Sequence, residues 1–137
     1  MKYTTVIFDF DGTICDTGEG ILKSAKYALD AFDIPAGQWH ELTEFIGPPL
    51  FVTFQEKYNQ SATQAELLVK KFRERYTNTG LYESCLYNGV EDLLADLKAN
   101  GIKIGIASSK PQHYILTLLE KFGIAKYFDS VCATSFN

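Results

Sequence analysis

The sequence predicts an α/β fold whose parallel sheet is interrupted, soon after its first strand, by an all-helical insertion. Three observations predict it. An apolar run of Val6, Ile7, Phe8 and Phe10 is punctuated by Asp9, Asp11 and Gly12, as expected of a buried strand covered on both faces that ends in a polar loop. From there to about Tyr82 apolar residues recur at helical spacing only. From Leu86 onward helix and strand patterns alternate, the signature of parallel strands joined by crossovers. The division this implies is a sheet-bearing core at 1–15 and 83–137 with a helical domain at 16–82.

The first strand carries the chemistry. Asp9 and Asp11 lie two residues apart at its carboxyl end, where open α/β sheets bind ligands, and strand geometry sends both side chains the same way if the strand persists that far. Gly12 permits a turn other residues resist, and Thr13 adds a hydroxyl. Two carboxylates beside backbone N–H groups suit a hard divalent cation such as Mg²⁺, with a phosphate completing its oxygen shell.

Asp16 or Thr17 is placed to cap a helix whose face is Ile21, Leu22, Ala25, Ala28, Leu29 and Phe32. Pro35 and Gly37 break it. A segment through Trp39, Leu42, Phe45 and Ile46 reaches the stiff Gly47–Pro48–Pro49 turn, and a short amphipathic piece follows to Tyr58. Ser61 or Thr63 can then cap a long helix with Ala65, Leu68, Phe72 and Tyr76 on one face, ending at Gly80. A single parallel crossover rarely needs nearly 70 residues, which favours a separate domain over one helical layer.

The second part opens with a helix expected to bury Val90, Leu93, Leu94 and Leu97, followed by a strand from Ile102 that ends in Ser108, Ser109 and Lys110. Pro111 stands near the start of the next helix, with Ile115, Leu118, Leu119 and Phe122, and a third strand covers Ser130 to Ala133.

DFDGT resembles the first motif of the haloacid dehalogenase superfamily, most closely its phosphoglycolate phosphatase-like hydrolases, and IASSKP resembles the second. The resemblance implies a Rossmann-like core with a helical cap, and a Mg²⁺-dependent phosphatase. In that chemistry Asp9 is the nucleophile, forming an aspartyl phosphate, and Asp11 protonates the leaving group and then activates water. Both would bind the metal. The backbone and hydroxyls of Phe10, Gly12, Thr13, Ser108 and Ser109 would hold the phosphoryl oxygens. Lys110 matches the lysine that often follows the second-motif hydroxyl, distinct from the family's catalytic lysine, which comes later. Lys23, Tyr27 and Gly47 in the insertion are the candidate specificity residues, and the substrate would be a small phosphorylated metabolite such as phosphoglycolate, pyrophosphate, a nucleotide or a sugar phosphate. Dehalogenases lack an acid at the Asp11 position. A phosphomutase is a second alternative, mildly disfavoured because GPPLF contains no arginine for a second phosphate.

Asn137 falls where that family places a third-motif lysine and a fourth-motif acidic pair. The expectation is a chain that is a piece of a longer protein, with an exposed apolar sheet edge. A naturally truncated product, or a second chain that supplies the rest, would account for the same ending. An incomplete enzyme or a module binding a phosphorylated ligand is the alternative function.

Composition narrows the rest. The net charge is −4, with 13 Lys and Arg residues against 17 Asp and Glu, dispersed without a basic patch, so neither nucleic acid nor an anionic membrane is an expected partner. No membrane-spanning run or signal segment is recognisable, and the chain reads as cytoplasmic. Cys15, Cys85 and Cys132 have no metal-binding spacing and read as reduced thiols.

Overall fold

The apolar strand residues form a parallel sheet, as α/β patterning requires. In this computed structural model, which describes residues 2–135, β1 (Thr5–Phe8) pairs with β4 (Lys103–Pro111), and β4 pairs with β5 (Ser130–Thr134). Phe8 stands opposite Ile106, so the loop after β1 leaves the sheet beside the second half of β4, which runs on to Pro111. The crossover helices are α4 (Val90–Ala99) and α5 (Gln112–Lys121). Ile104 and Ile106 of β4 pack with Leu94 of α4 and Ile115 and Leu118 of α5, all at most 1% exposed. A two-residue antiparallel pair, β2 (Cys15–Asp16) with β3 (Cys85–Leu86), completes this unit.

Three sequence expectations are corrected here. β1 is not buried on both faces, since Val6 and Phe8 are half-buried and Ile7 is 67% exposed, and among the described residues it pairs with β4 alone, which leaves its other edge open. Leu93 of α4 is 47% exposed, because Leu94 alone of that helix is fully buried and Val90 and Leu97 are half-buried. The second strand does not stop at the serines. It runs extended through Lys110 to Pro111, with an irregularity between Ala107 and Pro111, because β5 continues beside it to Thr134.

The chain divides into two compact units: the segments up to Asp16 and from Cys85 onward, and Thr17–Ser84 between them. The second unit is wholly helical. It contains α1 (Gly18–Ala31), α2 (Leu50–Tyr58) and α3 (Ala62–Asn78), with single 3₁₀ turns at Trp39–Glu41, Thr43–Phe45 and Gly80–Tyr82. Ser61 caps α3, its Oγ accepting from the Gln64 N–H at 3.1 Å. Thr17 precedes α1 without a side-chain cap bond, and Asn59, in the left-handed conformation, ends α2. Phe32 falls just past α1 at 36% exposure, outside the expected stripe.

Ala25, Ala28 and Leu29 of α1 and Ala65 and Leu68 of α3 are 0% exposed and form the seam of the helical unit. Phe45, Phe54 and Tyr58 form an aromatic cluster beside it, with Tyr58 donating to Glu44 Oε1 at 2.6 Å. Gly20 lies directly against Gly80, a Cβ on Gly20 falling 1.8 Å from the Gly80 carbonyl oxygen. Arg75 spans this end, donating to Ser24 Oγ at 3.2 Å and to Glu83 Oε1 at 2.7 Å. Among the described residues no helix is long and apolar enough to cross a membrane, and no disulfide joins the three cysteines.

Candidate active site

The loop after β1 is folded around one carbonyl. Phe10, fully buried, anchors it, and its oxygen accepts from the N–H groups of Thr13, Ile14 and Cys15 at 3.0–3.3 Å. Gly12 supplies the required positive φ of 79° and donates to the Cys15 carbonyl at 2.9 Å. The burial of Phe10 and Ile14 turns the intervening polar groups outward: Asp9, Gly12 and Thr13 are exposed and Asp11 is half-buried. Phe10 N–H donates to Asp9 Oδ1 at 2.7 Å, which orients that carboxylate. The N–H groups of Phe10, Gly12 and Thr13 are thus engaged within the loop.

The end of β4 reaches the same place from the second strand. Ser108 is half-buried and its Oγ accepts from the Lys110 N–H at 3.1 Å, while Ser109 is exposed and its carbonyl accepts from Thr134 Oγ1 at 2.9 Å. Lys110 turns inward, 7% exposed, and its Nζ donates to Asp11 Oδ1 at 3.1 Å and to Oδ2 at 3.4 Å. Burial pulls the Lys110 ammonium below the ordinary lysine value of 10.5, and the attraction of Asp11 opposes that shift. The structure therefore brings together Asp11, Lys110 and Ser108, joining residues 99 positions apart.

Lys110 is the member that sequence reasoning set aside. The signal that could have found it is alternation: two residues beyond Ser108 in an extended strand, it returns to the same side.

The donor chemistry of the loop fits Mg²⁺. Asp9 and Asp11 offer two carboxylates with solvent access, and Mg²⁺ is typically held by one or two carboxylates together with water and substrate oxygens. Among the described residues no group of three or more His, Cys, Asp or Glu side chains could hold a metal ion.

The candidate specificity residues all lie in the helical unit. Lys23 pairs with Glu19 at 2.6 Å and Glu83 at 3.6 Å and sits 5.0 Å from the centre of the Trp39 ring. Tyr27 donates to Glu74 at 2.8 Å. Gly47 is exposed with φ of 110°.

Known proteins resemble this chain in sequence and in fold. The chain is 34% identical over 131 residues to a 5'-nucleotidase of Pseudomonas aeruginosa, covering 96% of the chain and 59% of that protein. It is 32% identical to the tyrosine-protein kinase PtkA of Mycobacterium tuberculosis, covering 95% of the chain and 44% of PtkA. A phosphoglycolate phosphatase of Vibrio parahaemolyticus matches at 28% identity, covering 92% of the chain and 59% of that enzyme. In three dimensions a predicted phosphatase from Clostridium acetobutylicum superposes with a TM-score of 0.92 at 40% identity, covering 97% of the chain and 62% of that structure. The chain thus spans 44 to 62% of the length of these proteins. The model for haloacid dehalogenase-like hydrolases matches residues 6–135, nearly the whole chain and both strand ends of the site, and the chain belongs to that family.

Proposed function

We propose that this chain carries the nucleophile of a Mg²⁺-dependent phosphatase acting on a small phosphomonoester. The observation that carries the reading is the convergence of β1 and β4: the acidic loop of the first and the hydroxyl and lysine of the second meet at one end of the sheet. Asp9, exposed and oriented by the Phe10 N–H, attacks phosphorus; the new Asp9–phosphorus bond forms as the ester oxygen departs. Asp11 gives that oxygen its proton. It then takes a proton from water, which attacks phosphorus and releases Asp9 and inorganic phosphate. Ser108, Ser109 and Thr13 hold the phosphoryl oxygens, together with the Phe10 N–H once it leaves Asp9, while Gly12, whose N–H is taken by the Cys15 carbonyl, shapes the turn rather than binding phosphate. Asp9 and Asp11 would hold Mg²⁺, whose charge stabilises the phosphoryl group in the transition state.

In this reading the helical unit, Thr17–Ser84, is a cap, with Lys23, Tyr27 and Gly47 as its contributions to substrate choice. Relatives named for a nucleotidase and for phosphoglycolate support the phosphomonoester class without choosing within it.

Hydrolysis of an aryl phosphate by the full chain, with and without Mg²⁺, tests the proposal against Asp9→Asn. The expected result is Mg²⁺-dependent turnover that the substitution abolishes. Turnover unchanged in Asp9→Asn overturns the assignment, and no turnover from a folded chain that binds phosphate favours the binding-module alternative.

A further inference from the structure

The pairing of β4 with β5 loses its register at the site. Ala107 stands opposite Cys132 and Pro111 opposite Thr134, so Ser108, Ser109 and Lys110 face Ala133 alone. The extra residues of such a bulge leave the ladder, and the bulged strand bends. Their backbone groups then need partners of another kind, and two side chains supply them. Ser108 Oγ accepts from the Lys110 N–H at 3.1 Å, and Thr134 Oγ1 donates to the Ser109 carbonyl at 2.9 Å. Pro111, where the pairing resumes, has no N–H to fix the register, so the Thr134 hydroxyl reaches across where the backbone offers least. The bond from Lys110 also sets the direction of Ser108. An oxygen that accepts from the chain turns its own O–H away from that donor, which suits donation to a phosphoryl oxygen.

We propose that Thr134 is a positioning residue: by holding the Ser109 carbonyl it fixes the bulge that presents the Ser108 and Ser109 hydroxyls to phosphate. The inference rests on the reading of those hydroxyls as phosphate ligands. Thr134 acts through the backbone of Ser109 rather than through a contact of its own with substrate. Without its bond the stretch between Ala107 and Pro111 gains conformational freedom, and phosphate binding must then supply the ordering.

The test is binding of inorganic phosphate by isothermal titration calorimetry, together with hydrogen exchange at the Lys110 amide, on the full chain and two variants. Thr134→Val keeps the branched shape without the hydroxyl, and Thr134→Ser keeps the hydroxyl without the methyl group. Loss of one ordinary hydrogen bond predicts phosphate binding weakened roughly three- to tenfold in Thr134→Val, with Lys110 exchange faster by a similar factor. Thr134→Ser should restore both, and the thermal midpoint should stay near the parent's in each variant. Phosphate binding or Lys110 exchange unchanged in Thr134→Val, equal losses in the two variants, or a Thr134→Val that does not fold overturns the proposal. Ser108→Ala separates this failure from that of the underlying reading: weaker binding in Ser108→Ala beside parental binding in Thr134→Val removes only the role of Thr134. A parent that binds no phosphate refutes the phosphate role of the hydroxyls, and Lys110 exchange then decides by itself whether Thr134 holds the bulge.

Discussion

Replacing Gly20 by alanine should destabilise the helical unit, although alanine is the better helix former. Gly20 lies in the first turn of α1, and a Cβ there would stand 1.8 Å from the Gly80 oxygen and 2.7 Å from its carbonyl carbon. Real Cβ atoms do not approach backbone within 3.0 Å, so α1 and the Gly80–Tyr82 turn must separate by roughly 1 Å in an interior packed like a crystal. The turn has little room to yield. Gly80 itself is hemmed in by Ser24 Oγ, the Gly20 oxygen and the Tyr76 ring, all within 3.0 Å of where its own Cβ would lie. Overpacking of this kind costs about 1–3 kcal/mol; against it, relief of glycine's backbone entropy returns about 0.5–1 kcal/mol. The net loss should be about 1–2 kcal/mol, and more for Gly20→Val. Trp39, the single tryptophan, lies in the same unit, so urea unfolding followed by its fluorescence reads the affected unit directly. A Gly20→Ala protein as stable as the parent, or more so, would mean that the close approach does not exist in solution and that propensity alone governs the site.

Other perturbations should be graded by mechanism. Ser61→Ala removes the acceptor of the Gln64 N–H and should cost about 1 kcal/mol in the same unfolding experiment. Leu29→Ala empties a fully buried position on the α1–α3 seam and should cost about 2–5 kcal/mol. Glu83 is held below its ordinary value near 4.5 chiefly by the Arg75 hydrogen bond, with burial opposing it. A depressed carboxyl stabilises above its unfolded value and loses that contribution as pH falls through its folded one. Glu83→Gln should therefore be less stable than the parent near neutrality, with the two unfolding curves converging in acid; a constant difference across the acid range would refute the ion pair's role.

Where the sequence was legible, one local signal had one structural meaning. The α3 stripe of Ala65, Leu68, Phe72 and Tyr76 is buried as its spacing requires, and Ser61 caps the helix as its side chain permits. The order of the three strands and of α4 and α5 follows from the alternation of periods. The failures share a different cause. Leu93 and Ile7 are apolar residues in regular patterns, but a pattern assigns a face without saying whether anything covers it. The β2–β3 pair is two residues long on each side, too short to carry a periodicity, and becomes visible only when Cys15 and Leu86, separated by the whole helical unit, are brought together. Gly20 reads in sequence as a weak point in α1; its use is the approach of a second backbone 60 residues away.

The site divides along the same line. Asp9, Asp11, Gly12 and Thr13 are contiguous, so sequence placed them in one loop, but it left open how the loop uses its N–H groups. The answer depends on Phe10, an apolar residue whose buried carbonyl collects three of them and turns the acidic side chains outward. Lys110 could be read only by knowing where β4 ends. A strand ending at Ser108 would leave it in a solvated turn, a lysine beside a hydroxyl and nothing more. Extended backbone through Pro111 instead returns it to the interior and sets its ammonium on Asp11. A difference of three residues in strand length thus converts a surface lysine into a buried charge at the site. Strand ends are the least certain feature of any sequence reading, and in this fold class they are also where ligands bind.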